Sequence, residues 1–138
     1  MPTPIWLKAN LVGAITVVAE LDNTWVDWRI ERYTDQPVVV QVRDAGDYPV
    51  NITGWAVRWT AGAYLTKSTA AGTIMLTTPL AGVFTFTITK ADTLLLPAGE
   101  LAEQIEHQCK GQEPGAGTPV HLIFRGRLRC TGTLITSV

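Results

Sequence analysis

Four side chains of this 138-residue sequence carry the donor chemistry of a zinc site: His107, Cys109, His121 and Cys130. Their spacing argues against a shared centre. A hairpin register that sets Cys109 opposite Val120 sends His121 to the face opposite His107 and Cys109. It also leaves Cys130 about ten residues along the ribbon, roughly 30 Å from Cys109 at about 3.3 Å per residue. The same separation disfavours a Cys109–Cys130 disulfide, so both are read as ordinary thiols. No metal or other cofactor is expected. A nucleophilic triad needs Ser, Thr or Cys beside an oriented His, and the two serines, Ser68 and Ser137, stand in no elbow motif. Asp44 and Asp47 form the sort of carboxylate pair a glycosidase uses, but they sit in turn chemistry, where Asp is favoured for bonding the local backbone. Asn51-Ile52-Thr53 fits a glycosylation acceptor by letter only. The expectation is a protein that catalyses no reaction.

Trp6, Trp25 and Trp28 are the sharper candidates, because large amphipathic rings dominate protein interfaces and also stack on sugars. Core packing or cover for an edge strand is the competing reading for all three. Trp55 and Trp59 are assigned to the core. The expectation is that at least one of Trp6, Trp25 and Trp28 becomes substantially buried only on assembly with a partner.

The elements that position these residues are strands. Period-two alternation in short runs, separated by Gly, Pro, Asn and Asp, dominates the chain. Ile15, Val17, Ala19 and Leu21 form one inward set; Val38, Val40 and Val42 another; Trp55, Val57 and Trp59 a third. Ile74 with Leu76, and then Phe84, Phe86 and Ile88, continue the series, while Ala91 to Leu96 suits one helical turn. Leu101 to Cys109 and Val120 to Cys130 form the final pair around a Gly/Pro-rich loop from Lys110 to Pro119. In the register above Ile105 faces Phe124, His107 faces Leu122, and Glu103 points inward opposite Gly126. The sum is an all-β, immunoglobulin-like antiparallel sandwich of about seven strands. Residues 32–138 form the sandwich and residues 1–31 an N-terminal arm or an added edge strand.

Composition narrows the partners. Charged residues are 17% of the chain and apolar ones 46%, so the surface is short of charge for a soluble domain, as in surfaces covered by neighbours. A net charge of −1 and the absence of a Lys/Arg run offer no phosphate-binding footprint, so nucleic acid is not expected as a partner. No stretch reaches the length of a membrane span, and Met1-Pro2-Thr3-Pro4-Ile5-Trp6 lacks a basic region ahead of an apolar one, which predicts a cytoplasmic product with no membrane partner.

From Arg32 to Val138 the order of motifs resembles the immunoglobulin-like domain at the N-terminus of phage baseplate upper proteins and in related small tail and neck proteins. The resemblance rests on Arg32-Tyr33-Thr34-Asp35, the strand Val38 to Val42, Asp44-Ala45-Gly46, and Pro49-Val50-Asn51-Ile52-Thr53-Gly54 leading into Val57-Arg58-Trp59. It continues through Ala81-Gly82-Val83-Phe84-Thr85-Phe86-Thr87-Ile88-Thr89 and Leu96-Pro97-Ala98-Gly99 to Phe124-Arg125-Gly126-Arg127-Leu128. Tyr33 stands where the family usually has glycine, and Ala102 to Cys109 carries Glu, Gln and His where the family strand is usually aromatic-rich. What the resemblance implies is a structural role in the virion, assembled in the host cytoplasm: a homo-oligomer packed against other phage virion proteins in the tail, baseplate or neck. A capsid cement or decoration protein and a carbohydrate-binding module for host attachment are the alternatives.

Overall fold

A computed structural model describes residues 13–97 and 104–132. The chain folds into two packed sheets. Strands β1 (Ile15–Glu20), β3 (Gln36–Arg43), β6 (Ile74–Thr78) and β7 (Val83–Ile88) form a four-stranded sheet in the order β1-β3-β7-β6. Strands β2 (Trp28–Glu31), β4 (Ala56–Ala61), β5 (Leu65–Ser68), β8 (Ile105–Gln112) and β9 (Val120–Thr131) form the other in the order β2-β9-β8-β4-β5. The first order matches the A-B-E-D sheet of an immunoglobulin-like sandwich and β9-β8-β4-β5 matches G-F-C-C′, with β2 added at the β9 edge. The alternation read from the sequence places the core: Val17, Ala19, Val38, Val40, Val42, Val57, Trp59, Phe84, Phe86 and Ile88 are all buried. Two strands carried no clear signal. Both β2 and β5 have four residues, too few for a periodic pattern to show.

The antiparallel expectation needs correcting at both N-terminal edges. β1 pairs in parallel with β3, and β2 pairs in parallel with β9. A single segment causes this: it climbs one sheet edge as β1, crosses over, and runs along β9 before becoming β2. The crossover is tied by Asp22 N–H to Leu122 O (2.7 Å), Arg125 N–H to Thr24 O (3.1 Å) and Val26 N–H to Arg125 O (2.8 Å). Residues 15–31 thus give an edge strand to each sheet, with Ala19, Trp28 and Ile30 in the common core.

The β8–β9 register also differs from the expected one. Ile105 lies opposite Leu128, His107 opposite Gly126, and Cys109 opposite Phe124. β8 runs on through Gln112, which lies opposite Val120, so part of the expected Lys110–Pro119 loop is strand. The shift is by four residues, an even number, so Ile105, His107 and Cys109 keep their inward direction. A bulge between Cys109 and Lys110 then adds Ile123 to β9, and the adjacent residues Ile123 and Phe124 are both fully buried. The bulge reverses the faces beyond it. His121 therefore lies on the inner side, stacked at 5.4 Å and 17° on the buried Trp55, while Val120 and Leu122 point outward. The expected position of Glu103 lies outside the described residues.

One end of the sandwich is closed by a short helix, α1 (Lys90–Thr93), which overlaps the expected turn from Ala91 to Leu96 but starts one residue earlier and ends three residues sooner. Thr89 and Asp92 form a reciprocal capping box, with Asp92 N–H donating to Thr89 Oγ1 (3.1 Å) and Thr89 N–H to Asp92 Oδ2 (2.8 Å). Lys67 on β5 turns inward and reaches the same Asp92 carboxylate at 2.5 Å, tying the five-stranded sheet to the connection that follows β7. Tyr33 adopts φ 68°, the left-handed conformation that glycine supplies without strain, and its N–H donates to Thr93 Oγ1 (3.0 Å).

Candidate docking surface

The two candidate tryptophans among the described residues, Trp25 and Trp28, do not share a surface. Trp28 is 6% exposed and belongs to the core: its ring lies 4.5 Å from His107, 5.4 Å from Phe124, 5.9 Å from Trp59 and 6.3 Å from Phe86, centroid to centroid. Phe86 comes from the opposite sheet, so Trp28 packs across the interior and offers no docking surface. The spacing of Trp25 and Trp28 hid this, because three residues of a strand-like segment put two side chains on opposite faces. Trp6 lies outside the described residues.

Trp25 is the candidate that faces solvent, at 52% exposure. It stands on the crossover where its backbone bridges Arg125, and the Arg125 guanidinium lies 5.5 Å from its ring centroid, a cation–π arrangement. Its indole N–H donates to Asp27 Oδ1 (2.7 Å), and the same oxygen accepts the Arg127 backbone N–H (2.9 Å). An exposed ring held by two partners has already lost its rotational freedom, which lowers the entropy cost of binding through it.

What holds the crossover in place is a buried polar relay. Trp59 Nε1–H donates to His107 Nδ1 (3.1 Å), which makes that nitrogen the acceptor, so His107 Nε2–H donates to Val26 O (2.8 Å). Burial pushes the His107 imidazole below its ordinary value, opposed by the Val26 bond and by the charge of Asp27. The ring is therefore a fixed neutral hydrogen-bonding unit in the core. Val26 O reaches it only because residue 126 is glycine: a Cβ there would lie 1.7 Å from that oxygen. The Phe124-Arg125-Gly126-Arg127-Leu128 motif is thus the seat of the crossover that carries Trp25.

The other candidate chemistry resolves into structure. Cys109 and Cys130 are free and buried, and burial raises both thiols, most strongly Cys109, away from the thiolate form a nucleophile needs. His121 Nε2 lies 2.8 Å from Glu113 Oε2, and Nδ1 lies 3.9 Å from Asp22 Oδ2, at the end of the sandwich away from α1. Among the described residues no group of three or more His, Cys, Asp and Glu side chains is arranged to hold a metal ion. Asp44 organises its own turn, accepting the Gly46 and Tyr48 N–H groups at 2.9 and 3.0 Å, and Arg43 Nη1 lies 3.4 Å from Asp47 Oδ1.

Sequence reasoning passed over two exposed apolar residues, Tyr48 and Leu80, at 71% and 75%. Both stand in turns at the same end, since Val42 N–H bonds Gly82 O and Val50 N–H bonds Val42 O. The available signal was an aromatic or aliphatic residue inside Gly/Pro/Asp turn chemistry, where no core position exists to receive it. The outer side of β4, β5 and β8 also carries a groove of about 520 Å³ whose lining includes Ala56, Arg58, Ala70, Lys110 and Val120.

No protein-family model matches the chain, and no curated protein matches it. Among solved structures, the fold is similar to that of the N-terminal domain of phage TP901-1 ORF48, with a TM-score of 0.53 and 11% sequence identity over 86% of this chain and 100% of that one. At that identity the likeness establishes a shared fold: the described chain is an all-β sandwich of the kind found in that phage domain.

Proposed function

We propose that this chain is a non-catalytic building block of a tailed-phage particle, placed in the tail, baseplate or neck and packed there against other virion proteins and copies of itself. The observation that carries the reading is the agreement of motif order with fold likeness. The motif order from Arg32 to Val138 resembles a phage immunoglobulin-like family, and the sandwich is similar to a phage domain along that domain's whole length. The site chemistry supports it: the buried thiols and the neutral core His107 serve packing, whereas Trp25, held by Asp27 and Arg125, and the exposed Tyr48 and Leu80 offer apolar groups for a partner.

A glycan-binding module is the second reading, and Trp25 is the ring it would use. Arg125 already occupies a place over that ring, which favours a protein partner over a flat sugar face. The test is quantitative mass spectrometry of purified particles produced with the wild-type chain and with Trp25→Ala. The expected result is a fixed copy number relative to the major structural protein, reduced at least tenfold for a Trp25→Ala chain that is folded by circular dichroism. A chain absent from particles, or one that binds a glycan array and no virion protein, would overturn the proposal.

A further inference from the structure

The outward positions of the five-stranded sheet gather cations. Arg29, Arg58, Lys110, Arg125, Arg127 and Arg129 all lie on it, against Asp27, Glu31 and Glu106. Within the groove on this face the only charged lining residues are Arg58 and Lys110, which lie directly opposite one another across β4 and β8. Neither forms an ion pair among the described residues. Like charges held opposite in a sheet repel, and an anion seated between them removes that repulsion. Ala56, Ala70 and the exposed Val120 give the groove apolar surface, and Thr66, Ser68, Thr69 and Gln112 add uncharged polar groups, so it suits an amphipathic group that carries a carboxylate.

Such a group exists on the chain itself. The turn from Asp44 to Pro49 projects from the end of β3 with Tyr48 71% exposed and the Asp47 side chain 84% exposed, its one ion pair among the described residues being the long 3.4 Å contact to Arg43 that a closer pair of cations would replace, and Asp22 and Glu113 lie at the same end. We infer that the Asp44–Pro49 turn of one copy docks in the Arg58–Lys110 groove of a second copy, with Tyr48 against the apolar lining and Asp47 between the two cations. The two surfaces are different parts of the molecule, so the contact is heterologous and can build a ring or a filament. The inference deepens the reading of the chain as a many-copy building block and rests on it, but it is measured on purified chain alone, so self-association and incorporation into particles can fail separately.

The test is sedimentation velocity of the full chain at about 0.05 M and about 0.5 M salt, a range that spans weak to strong screening. Three chains are compared: wild type, a groove variant (Arg58→Glu with Lys110→Glu) and a turn variant (Asp47→Asn with Tyr48→Ser). The wild type is expected to self-associate at least tenfold more tightly at low salt, and each variant to remain monomeric. Mixing the two variants restores one intact turn and one intact groove, and yields a one-to-one dimer that grows no further. Arg58→Gln with Lys110→Gln replaces the groove variant if charge reversal unfolds the chain. A wild type that stays monomeric at low salt, association that survives either variant, or a groove that binds heparin while the chain remains monomeric would each overturn the inference.

Discussion

On the four-stranded sheet the outward residues of β1, β3 and β7 include Thr16, Val18, Val39, Gln41, Thr85 and Thr87, nearly all β-branched and uncharged, with Glu20 and Arg43 adding charge at the strand ends. On the five-stranded sheet the same outward positions carry arginine and lysine, and the inward ones include His107, Gly126 and Trp59 joined through Val26. The first sheet is held mainly by alternation and by residues that fit a pleated surface on either side, with a register shift between Met75 and Thr78 and the left-handed Gly82 confined to its edge and turn. The second needs long-range features that each depend on a specific partner: a bulge at Ile123, a glycine under a carbonyl, and a histidine in one tautomer. The contrast teaches that intrinsic strand preference secures one layer, whereas the layer with the charged surface is secured by contacts made across the chain.

The largest expected effect comes from attacking that second layer at Gly126. Gly126→Ala puts a methyl group into the Val26 carbonyl and must displace the crossover; about 3 kcal/mol or more of stability is lost, against about 0.5 kcal/mol for Thr85→Ala on the outer side of the other sheet. Chemical denaturation of the two variants measures the gap, and equal losses would erase the contrast drawn here.

Next is the tie between the layers. Burial raises the Asp92 carboxyl, but the Lys67 ammonium and the Thr89 donors together bring it below its ordinary value. Asp92→Ala leaves Lys67 without its partner and removes the capping box, costing about 3 kcal/mol. The sign of the shift fixes the pH window: the contribution is complete above pH 3.8 and is lost as pH falls through the lower folded value. Thermal melts of wild type and Asp92→Ala between pH 7 and pH 3 are expected to converge toward the acid end.

The smallest effect sharpens the comparison through His107. Its folded value lies below 6.5, so above that pH both folded and unfolded chains hold it neutral and stability is complete. Below pH 6.5 the unfolded chain takes up the proton first, and stability declines until the folded chain is protonated as well. In a His121→Gln background, where His107 is the remaining histidine, unfolding free energy is expected to fall between pH 7.5 and pH 5. A flat profile over that range would show that the relay tolerates a charged ring.

The faces of the strands were legible because alternation is a local property: Val38 to Val42, Trp55 to Trp59 and Phe84 to Ile88 each declare a buried side without reference to the rest of the chain. The β8–β9 pairing was legible only in part: a four-residue slide preserves the inward direction of Ile105, His107, Cys109, Phe124 and Leu128, but the run Leu122-Ile123-Phe124 gives no local sign of the extra residue that turns His121 inward and Val120 and Leu122 outward. Trp25 and Trp28 read alike in sequence and separated only when the crossover lay down along β9.

By itself the amino-acid sequence determined the all-β class, the inward sets of β1, β3, β4 and β7, the turn role of Asp44 and the helical turn near Ala91, because each depends on neighbours within a few residues. Tertiary structure alone decided that residues 15–31 serve both sheets in parallel, that Gly126 makes room for a carbonyl, and that Arg58 meets Lys110 across a groove. These arrangements join residues tens of positions apart, and the free energy that selects them comes from packing and hydrogen bonds that exist only once the two layers have closed.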